Sequence, residues 1–372
     1  MLVWRENEEL GKLSSSLFSG LMSLNALIRV YGSDQNCAVI FAGAMEVSSS
    51  QNSSSILWFF KDKGFDDKSI HDMFKRCKRL ENLRREKASE NWDYLRNLGI
   101  QERKLPSVII KCPKILTFNV DATIEPMVQC LKTLATKPDE VATAIIKFPY
   151  IFSHSAEGKL CPLLGFLEAL GIPEKQIGKM VLLNPRMLSY SIEPKLTKLV
   201  EFFAKLGVKE GGMIGKILVK NPFIMGYNVE KRLQPTADFL KKVGLTEPDL
   251  QKVAVNYPEV LCRDVNKVLK PNSDFLRSHG FDDRQIATVV SGYPPVLIKS
   301  IKNSLEPKIK FLVEVMGRRI QDVVDYPDFF RHGLKKSLEL RQRILSQRSE
   351  DFSLNEMLYY NRKKFCLKYG ST

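Results

Sequence analysis

The sequence predicts an all-α fold, an α-solenoid of seven to eight stacked helix pairs, and three repeating features predict it. Prolines recur at a nearly constant step, at Pro113, Pro149, Pro185, Pro222, Pro258, Pro294 and Pro327, with gaps of 36, 36, 37, 36, 36 and 33 residues. Two residues after each stands an apolar pair: Ile115-Leu116, Ile151-Phe152, Met187-Leu188, Ile224-Met225, Val260-Leu261, Val296-Leu297 and Phe329-Phe330. Glycine falls 22 residues after the proline at Gly171, Gly207, Gly244 and Gly280, with Ala135 in its place once and Gly317 one position late. A fixed period of this length marks units that cannot bury their apolar faces alone and therefore stack.

Within each unit the elements follow from residue types. The run before the proline, as in 173–183 or 282–290, carries apolar residues at helical spacing, so it forms a first helix. Proline ends that helix, because it has no N–H and pushes the preceding residue out of helical geometry. After a short apolar turn, residues such as Leu160, Leu164, Leu167 and Leu170 line one face of a second helix. A second proline, at Pro126, Pro162, Pro235, Pro271 and Pro307, lies 13 residues after the first. It either occupies the first turn of this helix or marks where a one-turn helix gives way to the longer one. Pro194 is out of step, at offset 9. The glycine then closes the helix by taking positive φ. The frame runs back through Cys77, 36 residues before Pro113, to a half unit at Phe59-Phe60 and Gly64, so the array covers 56–346.

Outside the array, residues 1–55 read as a leader without stable structure. From Gly11 to Ser55 this stretch is Ser-rich and holds only Asp34 and Glu46 as acids, which suits an organellar transit segment, although Glu6, Glu8 and Glu9 do not. Met45 is a candidate second start. Residues 347–372 form a basic C-terminal cap or tail.

The chain of 372 residues has 57 Lys+Arg against 42 Asp+Glu, a net charge of +15, and 44% hydrophobic residues. That apolar share excludes a disordered basic tail, and no stretch approaches the roughly 18–20 apolar residues that span a bilayer. The surplus charge favours a polyanion, nucleic acid ahead of an acidic membrane surface. Seven scattered cysteines without a CxxC argue against a disulfide framework or structural zinc and suit a reducing compartment. The four histidines lie in no metalloprotease motif, and no phosphate loop or nucleophile elbow is present. Neither catalysis nor a cofactor or metal is expected.

The candidate binding residues come from the repeat. Lys159, Lys195, Lys231, Arg232, Lys267, Lys302, Lys335 and Lys336 stand 8–10 residues after their prolines, where the second helix begins. Stacking sets equivalent positions in a row, and helix N-termini would add N–H donors for phosphate; the alternative is an ordinary solvated basic face. Lys111, Lys147 and Lys220 make a second, interrupted row. In the tail, Arg362, Lys363 and Lys364 interleave with Tyr359, Tyr360 and Phe365, rings that either stack on bases or pack inward as a cap. The run Lys75, Arg76, Lys78, Arg79, Arg84, Arg85 and Lys87 is either a docking patch or the polar face of a terminal unit. Phe148, Tyr257, Tyr293 and Tyr326, next to the prolines, are expected to pack in the core rather than stack on bases.

The strings NPRMLSYSIEPKLTKLVEFFAKLG (184–207), YPEVLCRDVNKVLKPNSDFLRSHG (257–280) and YPPVLIKSIKNSLEPKIKFLVEVMG (293–317) resemble the mitochondrial transcription termination factor family, in its plant organellar form. The resemblance implies a crescent of paired helices with short 3₁₀ turns, a basic inner path for nucleic acid, and action in the chloroplast or, alternatively, the mitochondrion. It implies binding of double-stranded DNA and an effect on transcription termination. The alternatives are an RNA-binding factor for transcript or tRNA maturation, splicing or ribosome assembly, and a protein-binding scaffold. A monomer is expected, with organellar transcription or RNA-processing proteins as further partners. The proline closing every first helix sets the pattern apart from tetratricopeptide and pentatricopeptide arrays.

Overall fold

The computed structural model describes residues 49–208, 211–347 and 352–370, and among these every regular element is helical. The chain forms two compact units, one ending at Ile192 and one beginning at Glu193.

One repeat of the first unit shows how the elements arise. Helix Asp139–Lys147 ends where Phe148, held by the following proline at φ −138° and ψ 76°, leaves helical geometry. Cys112, Asn184, Asn221, Tyr257, Tyr293 and Tyr326 leave it at the same place in their repeats. Pro149–Ser153 makes a 3₁₀ turn that buries Ile151 and Phe152. A wide turn, Ala156–Leu160, follows, and then helix Cys161–Ala169 with Pro162 in its first turn. The turn before it is closed one residue wider than an α-turn, by the Cys161 N–H to the Ala156 carbonyl, and the turn Leu334–Leu338 closes the same way with Leu340 in place of the proline. Where it is present, the second proline stands at the junction between the one-turn element and the longer helix. Gly171 closes the unit at φ +74°, and Gly64, Gly99, Gly207, Gly244, Gly280 and Gly317 share that sign.

The second unit repeats the plan from helix Lys198–Lys205 to helix Glu339–Ser346, with 3₁₀ turns at Pro222–Gly226, Pro294–Ile298 and Pro327–Arg331 and a helical turn at Pro258–Leu261. The apolar pairs after the seven prolines are the most buried residues, none more than 1% exposed. They form the continuous seam of each unit's core.

One column of this core is polar. Fourteen residues after the proline, or after Cys77 in the first case, stand Asn91, Thr236, Asn272, Lys308 and Arg341, all buried. Each reaches the turn of the following repeat. Asn91 donates to the Ile115 and Phe118 carbonyls at 2.7 and 2.9 Å, and Asn272 to those of Val296 and Lys299 at 3.1 and 2.8 Å. The Thr236 hydroxyl meets the Arg263 carbonyl at 3.0 Å, and the Lys308 ammonium meets that of Phe330 at 2.7 Å. Arg341 donates to the carbonyls of Met357 and Tyr360. Met127, Leu163 and Leu199 hold the same position in the repeats between. A 3₁₀ turn leaves carbonyls without partners inside the stack, and these side chains satisfy them.

The N-terminal boundary differs from expectation. Helix Ser49–Asp62 begins inside the Ser-rich stretch read as a leader, because Ile56, Phe59 and Phe60 give it a buried face against the following helices. The expected transit segment up to residue 48, with Met45, lies outside the described residues. The C-terminal cap is two short helices, Leu354–Tyr359 and Arg362–Tyr369, capped by Ser353 and Asn361. Phe365 and Tyr369 turn inward beneath Arg341, while Tyr359 is 74% exposed.

Candidate nucleic-acid interface

The wide turns carry the first basic row. Lys159 sits in the turn Ala156–Leu160 of the first unit. In the second unit, Lys231, Lys267, Lys302 and the pair Lys335 and Lys336 occupy the turns Val229–Leu233, Val265–Leu269, Ile301–Leu305 and Leu334–Leu338. All are exposed, and none forms an ion pair among the described residues.

Two members of the expected row are engaged. Arg232 is half-buried and pairs with Asp264 at 2.6 Å. Asp264 is held below the usual carboxylate range by the Lys267 backbone N–H, then by Arg232 itself, so it stays ionised and keeps that guanidinium. Lys195, also half-buried, donates to the Gly226 carbonyl at 3.1 Å.

In four of the wide turns one first-turn N–H is already capped by a side chain, whereas the turn Leu334–Leu338 has no side-chain cap. Ser155 accepts the Gly158 N–H at 2.9 Å, Asn228 that of Lys231 at 2.7 Å, Asp264 that of Lys267 at 2.9 Å and Ser300 that of Asn303 at 3.2 Å. These residues recur six positions after the proline, and each takes one of the first-turn N–H groups of its turn.

The second row divides as well. Lys111 reaches the Ile146 carbonyl at 3.4 Å, at the last turn of the next helix. Lys147 is exposed, and Lys220 lies 5.7 Å over the Tyr257 ring. In the N-terminal run, Arg76 donates to the Ile110 carbonyl, Arg85 lies 4.1 Å from the half-exposed Trp58 ring, and Lys87 pairs with Glu90. Lys75, Lys78, Arg79 and Arg84 remain exposed. In the cap, Arg362, Lys363 and Lys364 are exposed, while Phe365 beside them is buried.

A feature of the second unit was not anticipated as a site. Tyr257, Tyr293, Lys299 and Arg331, with Glu259, Pro295 and Ile298, line a recess of about 390 Å³. The Tyr257 and Tyr293 rings meet edge to face with centroids 6.1 Å apart. Arg331 donates to the Tyr257 hydroxyl at 3.0 Å and lies 5.4 Å over Tyr293, and Lys299 lies 5.8 Å over the same ring. Tyr293 is buried, as its column suggests, but Phe148, Tyr257 and Tyr326 are only half-buried. Phe148 stacks on His154 at 6.4 Å and 14°. The signal available in the sequence was a tyrosine before the proline in two successive repeats, Tyr257 and Tyr293, followed by a cation in each of the next two turns, Lys299 and Arg331.

The mTERF family model matches residues 43–214 and 166–366. The chain is 70% identical over 328 residues to the protein named transcription termination factor MTERF6, chloroplastic/mitochondrial, of Arabidopsis thaliana, a match that covers 88% of this chain and 98% of that protein.

Proposed function

The chain belongs to the mTERF family, and from that premise we propose that it binds double-stranded organellar DNA along a basic face of its repeats and acts in transcription termination. The observation that carries this reading is the recurrence of exposed lysine in the wide turn of successive repeats, at Lys231, Lys267, Lys302 and Lys335. A periodic charge suits a periodic polyanion. The relative's name gives both organelles, and the acid-poor, Ser-rich leader suits an organellar transit segment; the chloroplast is the first place to look, with the mitochondrion as the alternative.

The test is a salt titration of binding. Each phosphate neutralised on duplex DNA contributes about −0.9 to the slope of log K against log salt. Changing Lys231, Lys267 and Lys302 together to Glu flattens that slope by about 3 and weakens binding to every duplex sequence alike. An unchanged slope refutes the row.

One observation favours a second reading, a role on RNA. The recess sets the half-buried Tyr257 ring beside Lys299 and Arg331, a combination of ring and cation that suits unpaired bases. Binding to a single-stranded RNA that exceeds binding to duplex DNA at equal salt, and that falls when Arg331 and Tyr257 become Ala, would establish this reading over the first. Monomeric state and any organellar protein partners belong to the same proposal.

A further inference from the structure

Successive repeats of the first unit touch through a second column of side chains. The residue at offset 17 of one repeat meets the residue at offset 12 of the next. Between the repeats of Cys77 and Pro113 these are Tyr94 and Glu125, and the Tyr94 hydroxyl donates to the Glu125 carboxylate. One repeat on, the same two positions are Cys130 and Cys161. Cys130 lies on helix Glu125–Leu134 and Cys161 opens helix Cys161–Ala169. The two thiols are near neighbours, each acting on the ionisation of the other. Both are half-buried, whereas Cys77, Cys112 and Cys262 are buried. In the second unit the equivalent positions hold Phe202 and Gln234, Phe239 and Lys270, and Phe275 and Glu306, so the facing thiols belong to this junction.

We propose that Cys130 and Cys161 are a reversible redox clamp, closing to a disulfide that ties consecutive repeats of the first unit together when the thiol–disulfide balance of the compartment turns oxidising. The oxidant is a low-molecular-weight disulfide of the glutathione type. Cys161, as thiolate, attacks one of its sulfurs; a mixed disulfide forms and one thiol leaves. Cys130 then loses its proton to solvent and attacks the Cys161 sulfur, and the second thiol leaves. Two protein thiols and one small disulfide become one protein disulfide and two small thiols. The order follows from the environments. Burial and the neighbouring Cys161 push the Cys130 thiol up to about 11, so it is mostly protonated at neutral pH and is assigned the second attack. Burial raises Cys161 as well, with the neighbouring Cys130 working against that rise. The scattered, odd-numbered cysteines excluded a permanent disulfide framework, and a single reversible bond is compatible with that exclusion.

The experiment uses the full chain under native conditions, equilibrated over a series of oxidised-to-reduced glutathione ratios, quenched by alkylation and mapped by peptide mass. Peptides carrying Cys130 and Cys161 become joined as the ratio rises and separate again on reduction, while Cys77, Cys112 and Cys262 stay unlinked. The bond closes a 31-residue segment, and the oxidised protein melts about 5 °C or more higher than the reduced one. In Cys130→Ser the reaction stops at a glutathione adduct on Cys161; in Cys161→Ser neither adduct nor bridge forms there. The mapping of the unaltered chain is decisive without the variants. Thiols that persist across the series, glutathione adducts that never resolve, or bridges between other cysteines overturn the proposal.

Discussion

Replacing Lys308 by Met isolates the energetics of a charge placed in the polar column. Lys308 is 4% exposed and its ammonium has the Phe330 carbonyl as partner. Burial first, and then Lys299, lower it from 10.5 to about 8. A depression of that size corresponds to about 3 kcal/mol spent at neutral pH in keeping the side chain charged inside the fold. The sign follows from proton binding. Below pH 8 both folded and unfolded chains hold the proton and the cost is fully present. Between about 8 and 10.5 the unfolded chain still holds it and the folded chain does not, so stability rises with pH by up to about 3 kcal/mol. Lys308→Met removes the charge and leaves the Phe330 carbonyl unpaired, at about 1–2 kcal/mol. The variant is therefore at least as stable as the parent at pH 7, and it lacks the parent's gain between pH 8 and 10. Urea unfolding at pH 7, 8, 9 and 10, followed by circular dichroism, measures the difference between the two proteins. Parallel pH profiles for parent and variant refute a depressed Lys308.

Asn272→Ala leaves the Val296 and Lys299 carbonyls without their donor; the expected loss is about 2–4 kcal/mol, seen as a fall in melting temperature of roughly 5–10 °C, and a change within 0.5 kcal/mol would remove the column's structural role. Gly178→Ala in helix Glu174–Leu183 places a methyl 2.4 Å from the Leu134 carbonyl oxygen; because that obstacle is backbone, the two elements must part, and thermal unfolding shows a destabilisation of about 2 kcal/mol or more.

The repeat was legible because its marks are backbone marks. Pro149 ends a helix whatever surrounds it, and Gly171 at positive φ closes one, so a 36-residue step in these two residues fixes the order of elements without knowledge of packing. The apolar pairs were legible for the same reason: Ile224 and Met225 can only face inward in so tight a turn. Charge patterning was less transparent. Lys231 and Arg232 are neighbours in one turn, yet Arg232 is held by Asp264, an acid 32 residues further on in the following repeat. The N-caps Asn228 and Asp264 were visible as residue types, but only geometry shows which backbone N–H each one takes. The polar column was written in register at Thr236, Asn272, Lys308 and Arg341. It is hard to read from residue types because offsets 11 and 18 on the same face are apolar, and a polar residue between them looks like an interruption.

That column bears on the recess as well as on stability. Asn272 fixes the Lys299 carbonyl, and the same residue's ammonium lies over Tyr293. Lys308 fixes the Phe330 carbonyl, and the next residue, Arg331, supplies the guanidinium that meets Tyr257 and Tyr293. The two cations of the recess thus stand on turns whose backbones are anchored from below by buried polar side chains, each from the preceding repeat. An apolar residue at offset 14, such as Leu163 or Leu199, fills the same space but gives no direction to the turn above it. Hydrogen bonds do, because losing their geometry strands a buried carbonyl. Polar anchors at Asn272 and Lys308, beneath the turns that present Lys299 and Arg331, are what a preorganised binding surface requires of its supporting residues. The cost of burying Lys308 is then offset by the fixed position of the turn that carries Arg331.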